Sequence, residues 1–417
     1  MRIPEQLSRV PRQLDWLKRP LPLAIALLAV VAVGLGAATL AGVFSNQGVP
    51  GLIGSGHAAA TSPPEPAVSL KLTPANKASG VRPDAHARVV ASGGTIRSVR
   101  VTGPDGQPLD GQFAKGHRSW TSTALLAYGT RYKMSVVGVN RSGAVTRRTS
   151  SFTTLQPAAL LSASVMPLDG ETVGVGMPIA IFFNQPVSDR AAVEGRLRVS
   201  SSPDVEGAWH WFNDKEIHWR PKAYWPSGTK VTLNLDLGGV DAGDGVWGLR
   251  DRQVGFTIGQ RHVSVVNVNS HQMTVTSGAK TVKVFPMSAG RPKYPTTNGI
   301  HFTLEKAKTV IMDSATVGIP RDSPDGYYEK VNWNVRISNT GEFVHAAPWS
   351  VGSQGSANVS HGCVNLSVAN ATWFYKFSQR GDIVQVVGSP KPPNDWALGV
   401  VDWNVPWSQW LSGSALH

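Results

Sequence analysis

The stretch "HAAPWSVGSQGSANVSHGCVNLS", residues 345–367, holds Cys363, the only cysteine of this 417-residue chain, together with His345 and His361. His345 precedes Cys363 by 18 residues and His361 precedes it by two. A thiol attacks as thiolate, so it needs a base or a positive field nearby, and imidazole supplies either. On an extended strand His361 and Cys363 face the same side. Gly362 between them allows a close backbone approach, so the N–H groups of Gly362 and Cys363 can aim at one oxyanion. His345 follows the strand-like "GEFV" (341–344) and precedes a proline-containing turn, from which it can fold back over the thiol. The competing reading is a buried small hydrophobe with incidental histidines. Two histidines and several glycines around one lone thiol favour a nucleophile.

Outward from that segment, composition sets the frame. Apolar residues make up 41% and charged residues 16%, which supports packed cores and argues against general disorder. With 43 glycines and 29 prolines, short strands and turns are favoured over helices. One cysteine excludes an intramolecular disulfide and any cysteine-rich zinc site. The net charge of +13 predicts attraction to anionic partners. No phosphate-loop, dinucleotide or His-x-x-x-His metal pattern stands out, so neither cofactor nor metal is implied.

The N-terminus reads as an export element. Residues 1–20 are basic and lead into Leu21–Phe44, a run without charge. Such a run spans roughly 36 Å as a helix, enough for a bilayer core of about 30 Å. The positive-inside rule puts residues 1–20 in the cytoplasm and the rest outside. A cleaved signal peptide is the alternative, but the Ala58-Ala59-Ala60 site lies far beyond the run. A retained anchor is therefore favoured, and residues 45–66, with Pro63, Pro64 and Pro66, form a linker.

The exported part alternates strands and turns up to about residue 360. "SVRVTGPDGQPLDGQF" (98–113) reads as strand, turn, strand. A faint repeat appears. Trp120 leads to Gly129-Thr130 and "SFTTL", and Trp219 leads to Gly228-Thr229 and "GFTIG". A period of about 100 residues matches immunoglobulin-like sandwiches, here 67–156 and 157–258. "AWHWFNDKEIHWR" (208–220) reads as a hairpin with Trp209 and Trp211 on the core side. "DAGDG" (241–245) lacks alternating calcium ligands and reads as a turn. "VANATWFYKFSQRG" (368–381) reads as a helix ended by Gly381. The tail "DWNVPWSQW" spaces Trp403, Trp407 and Trp410 along a helix, with Pro406 in its first turn, that would staple onto the catalytic unit.

His345, fourteen intervening residues and then Ser360-His361-Gly362-Cys363-Val364-Asn365 resemble the signature of the L,D-transpeptidases, whose catalytic unit is the YkuD domain. "TTNGI" (296–300), "MDSATVGIP" (312–320), "DGY" (325–327), "VHAAPWSVG" and the tail are similar to the mycobacterial members. The resemblance implies a mainly β chain. Its parts would be an anchor at 21–44, two immunoglobulin-like sandwiches, a catalytic domain at 259–389 and a C-terminal subdomain at 390–417. It implies Cys363 as nucleophile, His345 as general base, and backbone N–H groups of Tyr327, Gly362 and Cys363 as the oxyanion hole. Met312, Trp349, Ser360, His361 and Asn365 would line the site. Ala346 stands where relatives carry Ser, whose carbonyl orients the base, and a carbonyl survives that change. Val317 stands where a relative carries Tyr, so the substrate lid would be more open.

The implied reaction is acyl transfer in peptidoglycan. The thiolate takes a tetrapeptide stem at diaminopimelate, D-alanine leaves, and an amine of a neighbouring stem resolves the thioester as a 3→3 cross-link. Carbapenems would acylate the same thiol. The basic charge is then affinity for the cell wall rather than for nucleic acid. Two other readings stand beside it: an L,D-carboxypeptidase, in which water resolves the same thioester, and a wall-binding scaffold with an idle thiol.

Overall fold

The computed structural model describes residues 65–393 and 402–416. The expected cytoplasmic stretch, the anchor at 21–44 and most of the linker lie outside them. Among the described residues no helix is long and apolar enough to cross a membrane.

Strands dominate. The first sandwich pairs Ser69–Thr73, Arg88–Ser92, Ser119–Ser122 and Gly111–Phe113 in one sheet. Ala78–Val81, Val145–Thr154, Arg131–Val139 and Thr95–Thr102 form the other. Burial alternates along Arg131–Val139, so Tyr132, Met134 and Val136 enter the core. The expected strand, turn and strand at 98–113 are present, with a Thr102–Pro108 bridge across the turn, but the two strands join different sheets. Thr95–Thr102 pairs with Arg131–Val139, whereas Gly111–Phe113 pairs with Ser119–Ser122, so this connection crosses between the two sheets.

The second sandwich stacks Ala163–Met166, Ile179–Phe183, Glu216–Pro221 and Gly207–Asn213 against Thr172–Val173, Arg252–Ile258, Lys230–Leu235 and Leu197–Ser202. Trp209 and Trp211 are buried in its core, and their hairpin turns at Asp214-Lys215. The Trp repeat has a shared packing basis. Trp120 lies so close to Gly111, and Trp219 to Gly207, that a Cβ on either glycine would sit 2.1 Å from the indole. In each sandwich a tryptophan ring lies over a strand that only glycine can supply.

The unit expected to be catalytic has two sheets. One runs Lys280–Pro286, Gln272–Ser277, His262–Asn267, Ile383–Val387 and Gly299–Phe302. The other runs Lys306–Asp313, Tyr328–Arg336, Phe343–Ala346 and Val364–Leu366. Val275, Phe285 and Val384 from the first pack with Val335, Val344 and Leu366 from the second, beneath Phe374 of the helix Val368–Phe377. That helix is capped by Ser367 and stops at Phe377, short of Gly381. Gly381 instead turns the chain (φ +89°) before the strand Ile383–Val387.

The second sandwich and the catalytic unit share backbone bonds. Gly174 N–H donates to the Arg380 carbonyl at 2.7 Å and Gly176 N–H to that of Gly381 at 2.9 Å. Phe302 and Ile383 complete the sandwich core.

The C-terminal tryptophans depart from the expectation of one helix on the catalytic unit. A 3-10 turn, Asp402–Asn404, precedes a short helix, Trp407–Leu411, capped at Pro406. Asn404 does reach the catalytic strand, bonding both N–H and C=O of Ile300. The three indoles, however, surround Arg220 of the second sandwich, with the guanidinium 5.0, 5.0 and 4.6 Å from the rings of Trp403, Trp407 and Trp410. A buried cation offers the rings electrostatic attraction as well as area. Trp410 also donates to the Ala208 carbonyl at 2.9 Å.

Candidate active site

The strand Phe343–Ala346 pairs parallel with Val364–Leu366, which sets His345 beside Asn365. His345 lies within the strand rather than after it. Its Nδ1 is 3.0 Å from the Ala346 carbonyl, so Nδ1–H donates there and Nε2 keeps its lone pair. Burial with a single carbonyl partner pushes the imidazole down to about 4, so it is neutral at pH 7.

Residues 361–363 form a bend, not a strand, and the strand begins at Val364. Gly362 adopts φ +126°, a conformation L side chains rarely take. His361 and Cys363 therefore do not share a strand face. The His361 ring turns toward Tyr294 and Tyr327, with centroids 5.1 and 4.9 Å away. Arg291 donates to its Nε2 at 2.7 Å, and burial together with that cation lowers its pKa. Arg291 and Lys293 both pair with Asp325 of the Asp325-Gly326-Tyr327 turn.

Cys363 is half-buried, and its Sγ–H donates to the Gly341 carbonyl at 3.8 Å. Burial pushes the thiol up to about 12, with the buried Glu342 carboxylate adding to the rise. The expectation of a thiol ionised by imidazole thus fails for the resting site. Both partners are neutral, because neither brings a charge to hold the other.

The expected oxyanion donors are partly engaged. Gly362 N–H donates to Ser360 Oγ at 3.1 Å, and Ser360 Oγ–H donates to the Cys363 carbonyl at 2.6 Å. Tyr327 N–H donates to Ser314 Oγ at 3.0 Å, while Ser314 N–H donates back to the Tyr327 carbonyl. Ser314 opens the 3-10 turn Ser314–Val317, which is capped by Asp313 and anchored through the Asp313–Arg321 pair. Val317 Cγ1 lies 3.5 Å from where Gly341 would carry a Cβ, so the turn packs beside the residue whose carbonyl accepts from the thiol.

One cavity of about 280 Å³ gathers Met312, Tyr327, His345, Trp349, Ser360, His361, Cys363 and Asn365. Gly362 lies between two of these and supplies backbone. Asn365 Nδ2 donates to Ser350 Oγ at 3.1 Å, and Trp349 is 56% exposed at the rim. The cavity also includes Gly326, Val359 and Glu329, which the sequence did not single out. Glu329 enters by register, opposite Met312, a pairing no local pattern announces. Among the described residues no group of three or more His, Cys, Asp or Glu is placed to hold a metal.

Residues 261–386 match the L,D-transpeptidase catalytic domain family, and residues 78–241 match a bacterial Ig domain family. The chain is 42% identical over 336 residues to L,D-transpeptidase 2 of Mycobacterium tuberculosis, covering 81% of this chain and 82% of that one. It is 38% identical over 360 residues to L,D-transpeptidase 5 of the same species, covering 85% and 78%. The solved structure of the transpeptidase LdtMt1 in complex with imipenem is 38% identical, with a TM-score of 0.49 over 55% of this chain and 100% of that one. With a thiol and an imidazole lining one cavity, and relatives matched over four-fifths of its length, this chain belongs to the L,D-transpeptidase family.

Proposed function

We propose that the protein forms 3→3 cross-links in peptidoglycan through a thioester on Cys363, made from a tetrapeptide stem with release of D-alanine. The observation that carries this reading is the single cavity that holds Cys363, His345 and the other expected lining side chains. The division into sandwiches at 67–156 and 157–258, a catalytic unit at 259–389 and a C-terminal piece at 390–417 belongs to the same reading. So does an anchor at 21–44 that leaves the site outside the membrane, facing the wall.

In this reading Cys363 must leave its resting position. Rotation about the Cα–Cβ bond of Cys363 takes Sγ–H from the Gly341 carbonyl toward His345. The imidazole, held by the Ala346 carbonyl, receives the thiol proton at Nε2 as sulfur attacks the stem carbonyl. The developing oxyanion meets Cys363 N–H. The N–H groups of Gly362 and Tyr327 join it as Ser360 and Ser314 yield. The imidazolium then returns its proton to the departing D-alanine nitrogen, leaving the thioester. Imipenem, bound in the LdtMt1 structure, fits the same step as a β-lactam whose ring opens on Cys363.

The test is mass spectrometry of the full chain with imipenem and with tetrapeptide stems. A covalent adduct on wild type that is absent from Cys363→Ala, and a cross-linked dimer from stems, are expected. Tripeptide without dimer reassigns the protein as an L,D-carboxypeptidase. No adduct at all removes the nucleophile and leaves a wall-binding scaffold.

A further inference from the structure

Glu329 is the one carboxylate lining the cavity that holds Cys363 and His345. It stands directly opposite Met312 across the paired strands Tyr328–Arg336 and Lys306–Asp313, so the two side chains share the cavity face. It is exposed, and among the described residues its carboxylate has no hydrogen-bond or ion-pair partner. The nearby carboxylates differ: Asp313 is paired with Arg321, and Asp325 with Arg291 and Lys293. The histidines in the cavity are held toward their neutral forms and the thiol is protonated. The cavity therefore carries a single uncompensated formal charge, and it is negative.

That charge has no task in the acylation half-reaction, where an oxyanion develops and a further anion is unhelpful. It suits the second half. Once a thioester stands on Cys363, an amine must outcompete water, and a primary amine reaches the site as ammonium. A carboxylate that concentrates ammonium beside the thioester supplies the proximity that water does not need.

Resting on the thioester reading above, we propose that Glu329 docks the primary ammonium of the acyl acceptor and so directs the acyl-enzyme to amide formation rather than hydrolysis. The ammonium sheds one proton to solvent through the Glu329 carboxylate. The nitrogen lone pair attacks the thioester carbonyl, the C–N bond forms and the C–S bond breaks. A second nitrogen proton passes to His345 and on to the Cys363 thiolate, regenerating thiol and imidazole.

The experiment uses the full chain as wild type, Glu329→Gln and Glu329→Lys, with a tetrapeptide stem as donor. Two acceptors are compared at neutral pH: a peptide bearing a primary alkylamine, which is charged, and an alkoxyamine, which is neutral. The readout is the ratio of amide to free acid per acyl-enzyme formed. With the charged acceptor the ratio falls about fivefold in Glu329→Gln, the upper end for a solvent-exposed ion pair. It falls further in Glu329→Lys. With the neutral acceptor the ratio is unchanged in both. An unaltered ratio with the charged acceptor, or an equal fall with both, overturns the assignment. Absence of any acyl-enzyme on wild type is a different failure, that of the thioester reading itself.

Discussion

Two buried histidines, His345 in the cavity and His218 in the second sandwich, have nearly the same exposure and opposite electrostatics. His345 is pushed down to about 4. Burial pulls His218 down as well, but Asp402 at 2.7 Å and Glu216 at 3.1 Å outweigh it and carry the ring up to about 9. Burial by itself makes imidazole a neutral base. Burial between carboxylates makes it a fixed cation that ties the C-terminal turn to the hairpin. The same residue type is thus neutral in one place and a charged attachment in the other, and the carboxylates decide which.

The sharpest way to break this contrast is at the reacting pair. Cys363→Ala abolishes the imipenem adduct outright, by intact-protein mass. His345→Ala slows acylation at least about a hundredfold, the usual loss for a general base, while melting changes little. A near-normal rate would remove His345 from the mechanism. The reverse pattern is expected at the other histidine. Asp402→Asn strips a partner from a buried pair and costs about 3 kcal/mol of stability in denaturant, yet the folded fraction is acylated at the normal rate.

pH divides the two rings more gently. For His218 the folded form binds its proton more tightly than the unfolded chain. Its contribution is complete below about pH 6.5 and fades as pH rises through about 9. His345 resists protonation when folded, so its burial destabilises the fold as pH falls from 6.5 toward about 4. Thermal scans across pH 4 to 9 should show both flanks, and Asp402→Asn should flatten only the alkaline one. The smallest effect concerns the sandwiches. Gly207→Ala and Gly111→Ala each force a methyl into an indole ring and should cost about 1–3 kcal/mol alike. Unequal losses would show that the tryptophan repeat is not a repeat of packing.

The sequence displayed the thiol segment because its parts are local: His345, Ser360 and Cys363 lie within 19 residues. It displayed the Trp209–Trp219 hairpin because alternation and a turn suffice. It did not display that Asp402 meets His218, since nothing near residue 402 names a partner 184 positions away. Nor did it show the hold of the Gly341 carbonyl on the thiol, which depends on a backbone atom. Ser314 and Ser360 covering two N–H groups were equally hidden, because serine is among the commonest residues and carries no signal by type.

The Gly341 contact has one more consequence. Peroxide and disulfides attack the thiolate form of cysteine, and sulfinic acid, once formed, is beyond ordinary repair. A sulfur parked against a carbonyl as S–H is a poor target for oxidants. Under the proposed function, at the wall and away from a reducing cytoplasm, the single sulfur stays intact between turnovers because it is inert until a stem peptide arrives.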